Sequence, residues 1–470
     1  MTELHELSAL EQAAAVRAGE VAPVELVRHY LARIERLDER YGAFVTVTAE
    51  QAVAQAETMT GRSEHPAPLS GVPTAIKDLT PTADVPTGYG SRAFADHVPG
   101  RDAHVVSLLR RGGMISLGKT NTPEFGLCCY TDNDLAGPAR NPWDRARTSG
   151  GSSGGAATAV ALGLAPVAHG SDGGGSVRIP ASCCGLFGLK TSRGRISAGP
   201  DAAEVNGLAV QGPLARTVRD AAAMLDLMAV PMPGDPHWAP PLPAGETFLG
   251  HAGREPGRLR IGRYAKPAAP GIDVDPACVE AWEHASRLLE DLGHEVEDIP
   301  TPFGPEVSDF FITVWGVQSL GHTVDADDEE KLRPVTRAWR EYGRRIDGAA
   351  HAAAIAGMQR AARAAVEATA RYDAVLTPTL AALPQPVEFF DEKDTDPLDN
   401  LRRQSAFSAF TSVYNMTGQP AANLPLHRTG DGLPVGVSLV GRPAGEANLL
   451  ALCAQVEAAA PWHHHRPPEW

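Results

Sequence analysis

Residues 148–189, TSGGSSGGAATAVALGLAPVAHGSDGGGSVRIPASCCGLFGL, constrain this chain more than any other stretch. Two Gly-Ser loops, GGSSGG at 150–155 and SDGGGSVR at 171–178, bracket one small-residue segment. Glycine lets a backbone turn through positive φ and approach a neighbour closely, at a cost in folding entropy. Two such loops gather serine hydroxyls and bare backbone N–H groups in one neighbourhood, and these are the parts of an acyl-transfer site. Either loop alone reads as a surface turn. Together, closing on Ser-Val-Arg-Ile-Pro and joined to Lys77, they point to chemistry.

Lys77 ends the apolar run of residues 69–79, LSGVPTAIKDL, which predicts a short buried strand ending in a charge. Burying an ammonium is costly, so the plain alternative is a strand-end lysine reaching solvent. The chain has 470 residues, enough for one large domain or two ordinary ones, and it needs no disulfide staples. A net charge of −15 without a long basic run argues against nucleic acid or an anionic membrane as partner, because both need Lys/Arg patches. Cys128, Cys129, Cys183, Cys184, Cys278 and Cys453 show neither C-x-x-C nor zinc spacing, so reduced thiols and a cytoplasmic location are expected. The opening residues lack an apolar h-region, and no run of about 20 apolar residues occurs, so neither a signal peptide nor a membrane span is expected. His463, His464 and His465 precede a Pro-rich tail and read as part of a mobile terminus rather than as metal ligands. No metal or cofactor is expected, and the chain is expected to be a monomer or homodimer.

Strands alternate with helices along most of the length. That pattern predicts an α/β fold, a single large mixed β-sheet covered by helices on both faces. The expected division is an N-terminal helical segment, 1–65, packed on an α/β domain, 66–470, with a Pro/Gly-rich excursion at 231–257. Residues 102–119 read as helix, Gly-Gly turn and strand. Within them and just beyond, GMISLGKT at 113–120 satisfies the P-loop spacing. Strand-like residues lie inside that motif and Asn-Thr-Pro follows it, so nucleotide binding is rejected. Residues 156–164 read as a buried helix, 165–170 as a strand, 185–216 as turn-rich and 217–230 as a helix. Beyond the excursion, 305–371 read as mostly helical, 374–378 as a strand, 381–399 as a polar loop and 401–418 as one helix. Two strands and a helix close the chain.

From 150 to 181 the loops match, position by position, the pattern of the amidase signature family: Gly-Gly-Ser-Ser-Gly-Gly, a small-residue spacer, then Asp172-x-Gly174-x-Ser176-Val177-Arg178-x-Pro180. GVPTAIKD, GKTNTPEFG, ARNPWD, CGLFGLKTSRGRIS and GQPAANLPL carry the resemblance over nearly the whole chain. It implies the amidase signature fold and a Ser-cisSer-Lys triad, with Ser176 as nucleophile, Ser152 as bridging serine entered by a cis peptide bond, and Lys77 as base. The chemistry is coherent, because a serine hydroxyl is a poor nucleophile until a base takes its proton. A lysine can do so only when neutral, which for an unperturbed side chain costs about 4.6 kcal/mol at pH 7 and which burial makes cheaper. The resemblance places the oxyanion hole at the N–H groups of Gly173, Gly174, Gly175 and Ser176, with Asp172 and Arg178 pairing to hold that loop. Gly173 departs from the family, where many members carry a larger residue. An all-glycine loop is expected to be more mobile and less preorganised.

A second chemistry is written in the same residues. Gly151-Ser152-Ser153-Gly154-Gly155 fits the G-x-S-x-G nucleophile elbow, with Ser153 attacking and His169 the nearest base, but this leaves Lys77 and the second loop unexplained. Cys183 and Cys184 read as core or pocket wall rather than nucleophiles. Several stretches, among them PVAHGSD and RRQSAF, most resemble the 6-aminohexanoate cyclic dimer hydrolases and aryl acylamidases. Leu127, Cys128, Cys129 and Tyr130 are expected to line the acyl side of a pocket, with Phe310, Phe311 and Trp315 capping the leaving-group side. Such a lining suits a small uncharged amide, anilide or carbamate. The alternative is the amidase subunit of a tRNA-dependent amidotransferase, which would need a partner chain.

Overall fold

Thirteen strands form among the residues described by the computed structural model, which are 3–59, 67–202, 204–390, 392 and 397–470. In chain order they are β1 (Phe44–Val47), β2 (Pro73–Lys77), β3 (Ile115–Thr120), β4 (Arg140–Asn141), β5 (Asp144–Thr148), β6 (Val167–Asp172), β7 (Phe187–Lys190), β8 (Val210–Ala215), β9 (Arg260–Arg263), β10 (Glu295–Asp298), β11 (Ala374–Pro378), β12 (Ala421–Arg428) and β13 (Pro434–Gly441). Eleven of them make the expected mixed sheet, in the order β1-β3-β2-β6-β8-β7-β12-β13-β11-β9-β10, while β4 and β5 pair separately. β3, β2 and β6 run parallel, whereas β8, β7, β12 and β13 are joined by antiparallel pairings.

Successive side chains of a strand point to opposite faces, so the sheet divides its apolar residues between two cores. Ala75, Ala168 and Val375 enter one core with Val27, Tyr30 and Ile34 of helix Pro23–Leu37. Ile76, Val167 and Leu376 enter the other with Ala281, Trp282 and Leu289 of helix Pro276–Asp291. β2, β11 and β13 are buried along their whole length, which is why they read as continuous apolar runs rather than alternations.

Four readings change. The N-terminal segment is not helical throughout, because β1 lies within it and pairs antiparallel with β3 at the sheet edge. Phe-Val-Thr-Val is a strong but very short β-former that a helical periodicity conceals. The expected boundary at 65/66 lies outside the described residues. The turn-rich stretch 185–216 holds two core strands, β7 and β8, whose internal Gly and Pro and two-sided burial hide any alternation. Residues 401–418 form two helices, Pro397–Phe407 and Val413–Thr417, with a break between. The C-terminal tail is docked: the Trp462 indole donates to the Arg216 carbonyl at 2.9 Å, and Trp470 lies beside His5 and under Arg466. Among the described residues, no helix is long and apolar enough to cross a membrane.

Candidate active site

β2 and β6 run side by side in parallel, with Ile76 opposite His169. Lys77 therefore ends its strand beside Ser171 and Asp172, at the carboxyl ends where α/β sheets place their sites. Lys77 is 0% exposed. Its Nζ lies 2.8 Å from Ser152 Oγ, 3.1 Å from Ser171 Oγ and 3.3 Å from the Ser171 carbonyl oxygen, all within hydrogen-bond distance. Burial pulls the amine down to about 7, with the negative charge of Asp172 partly opposing that shift.

The first loop carries Ser152 into this contact. The Gly151–Ser152 peptide bond is cis. A side chain at Gly151 would come within 2.4 Å of the Tyr130 carbonyl oxygen, so only glycine lets the 126–131 segment close against the bridging position. The second loop is tied to the first by the Ser153 N–H, which donates to the Ser176 carbonyl at 3.1 Å. Ser176 is 7% exposed.

Asp172 organises the second loop. Its carboxylate accepts from the N–H groups of Gly175 (2.8 Å) and Val177 (3.1 Å), from Arg178 Nε (3.0 Å) and Nη2 (2.9 Å), and from Asn415 Nδ2 (2.9 Å). Burial opposes its charge, but the Arg178 guanidinium holds the carboxyl well below the usual range. This corrects one expected role. The Gly175 N–H is committed to Asp172, so it does not face an oxyanion. The N–H groups of Gly173, Gly174 and Ser176 have no acceptor among the described residues.

Residues that sequence reasoning missed complete the loop. Thr411 lies in the break after helix Pro397–Phe407, and its hydroxyl donates to the Gly174 carbonyl at 2.6 Å. Asn415 donates to both the carbonyl and carboxylate of Asp172 and accepts from Arg178 Nη2 at 2.8 Å. Ser171, read only as part of the loop, is a direct partner of Lys77. The one local signal was the polar run of Ser408, Thr411, Ser412 and Asn415 inside an apolar helical pattern.

The expected pocket wall divides. Phe311 and Trp315, on helix Val307–Gln318, stack with ring centroids 5.1 Å apart. A side chain at Gly173 would lie 3.1 Å from the Trp315 ring, and one at Gly174 would lie 3.1 Å from Phe311. The bare glycines thus let two aromatic rings close directly on the loop, which gives the departure at Gly173 a steric reason. The Trp315 indole donates to the Leu127 carbonyl at 3.3 Å. Phe310 faces the other way, against Gly357. Tyr130 stacks on Phe390 and donates to Glu392 at 2.7 Å, while the Cys129 N–H donates to Gln404 at 2.9 Å. The Tyr130 side chain and the Cys129 backbone thus tie this segment to residues 390–404. Cys128 also meets Gln404, at 3.8 Å. Burial holds the Cys128, Cys183 and Cys184 thiols well above their ordinary value, which leaves no thiolate to attack.

The elbow reading does not assemble. Ser153 Oγ donates to the Ser171 carbonyl at 3.1 Å, whereas His169 pairs with Gln211 at 2.8 Å. Among the described residues, one group offers three clustered metal donors: Glu3, His5 and His29, beside a cleft of about 430 Å³. Arg33 and Arg36 line that cleft too, and their charge opposes a dication.

The family described as Amidase matches residues 25–450. A putative amidase, AmiB2, of Mycobacterium tuberculosis is 40% identical over 484 residues, covering 99% of each chain. A 6-aminohexanoate-cyclic-dimer hydrolase of Paenarthrobacter ureafaciens is 37% identical, over 98% of this chain and 96% of that one. A solved structure of 6-aminohexanoate cyclic dimer hydrolase complexed with substrate is similar at a TM-score of 0.90 and 32% identity, covering 99% of both chains.

Proposed function

This chain belongs to the amidase signature family, and from that premise we propose that it hydrolyses small uncharged amides through Ser176, Ser152 and Lys77. The observation that carries the reading is the 2.8 Å contact between a buried, easily deprotonated Lys77 and the Ser152 hydroxyl, beside the loop that presents Ser176.

In this reading Ser176 Oγ attacks the substrate carbonyl carbon. Its proton passes to Ser152, whose own proton passes to neutral Lys77. The carbonyl oxygen becomes an oxyanion facing the open N–H groups of Gly173, Gly174 and Ser176, and each such donor is worth about 10²–10³ in rate. As the C–N bond breaks, the leaving nitrogen takes a proton back from Ser152, which is restored by Lys77. An ester to Ser176 remains. Water then attacks that ester with the same relay, releasing the acid and the free serine. The stacked Phe311 and Trp315 against the glycine loop suit an apolar, planar amide, so anilides and short alkyl amides are the proposed substrates. A urethane offers the same carbonyl–nitrogen bond and is proposed as a secondary substrate.

The test is hydrolysis of an anilide by the purified single chain. Ser176→Ala should lower kcat by at least about 10⁴-fold, as loss of a nucleophile does elsewhere, and His169→Ala should keep most of it. Undiminished turnover in Ser176→Ala would sink the proposal, and activity only with a second protein would favour the amidotransferase alternative.

A further inference from the structure

We infer that Ser171 is a positioning residue for the base: it holds the two N–H groups of neutral Lys77 so that the remaining lone pair faces Ser152. This rests on the reading of Lys77 given above. A neutral amine has two N–H donors and one lone pair, and Lys77 Nζ has three oxygen neighbours. The Ser171 carbonyl can only accept, so it takes one N–H. The two hydroxyls can each accept or donate. If Ser171 Oγ accepts the second N–H, the lone pair is left for the Ser152 proton, as the relay requires. If Ser171 donated instead, Lys77 would have to donate to Ser152 and the relay would be blocked.

Two features favour the productive arrangement. Ser171 sits in β6 opposite Gln211 of β8, and its carbonyl also accepts from Ser153 Oγ at 3.1 Å, so its backbone and carbonyl oxygen are held fixed relative to Nζ. Ser171 is half-buried, so its own O–H can turn outward to water. Ser152 is 2% exposed and has no partner other than Lys77 among the described residues.

The charged and titratable groups around Lys77 are few. On β6 they are Asp172, whose charge reaches the amine, and His169, which burial keeps neutral. Asp78 follows Lys77 and pairs with Lys119 of β3 at 3.4 Å. Arg178 is paired with Asp172. None of them touches Nζ, so a change in titration on removing the Ser171 hydroxyl reports the lost hydrogen bond. An ammonium loses more than an amine does when an acceptor is removed, because its bonds are about twice as strong. The base should therefore titrate at lower pH while working less well.

The experiment compares pH profiles of kcat and kcat/KM for anilide hydrolysis by wild type, Ser171→Ala, Ser171→Thr and Lys77→Ala. Ser171→Ala should lower plateau kcat about tenfold, less than the 10²–10⁴-fold that a general acid–base group itself contributes, because the base is misdirected and not removed. Its acid limb should move down by about half a pH unit, in line with one weakened charge-assisted bond, with KM unchanged. Ser171→Thr keeps the hydroxyl and should restore both. A wild-type limb and kcat in Ser171→Ala, or a Thr variant that behaves like Ala, overturns the inference while leaving the triad intact. An active Lys77→Ala overturns the triad and the inference together.

Discussion

Lys77 and Lys119 sit on adjacent strands, with Lys119 opposite Ile76, and both are fully buried. They keep different company. Lys119 donates to the Thr80 carbonyl at 2.8 Å and to Thr87 Oγ1 at 2.7 Å, and it lies 3.4 Å from the Asp78 carboxylate. Lys77 has two hydroxyls and a carbonyl, and the nearest acid, Asp172, is committed to Arg178. Burial lowers both amines, Lys77 to about 7 and Lys119 to about 8, with Asp78 partly opposing the second shift. Lys190 is a third case: burial takes it to about 7, yet it donates to the Thr191 carbonyl and touches neither loop serine. A low affinity for protons is therefore not what singles out a base. Of these three, Lys77 is the one that combines the lack of a carboxylate partner with contact to the hydroxyl of a loop serine, the contact on which the proposed relay depends.

The comparison breaks most sharply in activity. Lys77→Met should lower kcat by about 10³–10⁴-fold, the upper range for a general base, whereas Lys119→Met should leave kcat of the folded enzyme within about tenfold on the same scale. Steady-state kinetics on one anilide decides it, and equal losses in both variants would erase the distinction. Next in size is stability. Lys119→Met strands Asp78 as a buried charge and should cost about 3–5 kcal/mol in urea unfolding. Adding Asp78→Asn should recover part of that loss. Lys77→Met strands no anion and should cost far less.

A smaller effect is in pH. In the proposed mechanism Lys77 acts as the neutral amine, so kcat/KM should rise with pH through about 7 and level off above it. Stability carries the same sign. Between about 7 and the ordinary lysine value the unfolded chain binds a proton that the folded chain does not, so this group's contribution rises with pH across that window. Lys77→Met should flatten that part of the stability–pH curve. The smallest expected change is at the aromatic cover, where Trp315→Ala should raise KM for an anilide by about tenfold, the scale of one lost aromatic contact, with kcat less affected.

Much of the fold was legible because its strands are short apolar runs between helices. β2, β3, β6, β11, β12 and β13 fall where the sequence predicts them. β1, β7 and β8 escaped, since runs of four to six residues, two of them interrupted by Gly or Pro, are too short to show a period. The tail was misread for a related reason. Composition marks a Pro-rich end as loose, but Trp462 and Trp470 find partners more than two hundred and more than four hundred residues away, at Arg216 and His5.

The spacing of two glycine-serine loops and one lysine by itself determined which side chains belong to the candidate site and what chemistry they suit, because loop conformation is set by local residue types. Only the folded arrangement decided how each group is used. It committed the Gly175 N–H to Asp172, brought Ser171, Thr411 and Asn415 to the loop, and turned Phe310 away while placing Phe311 and Trp315 over the glycines. These are contacts between strands and helices remote in sequence, and hydrogen-bond partners in a buried site are allotted by packing, which local residue order does not encode.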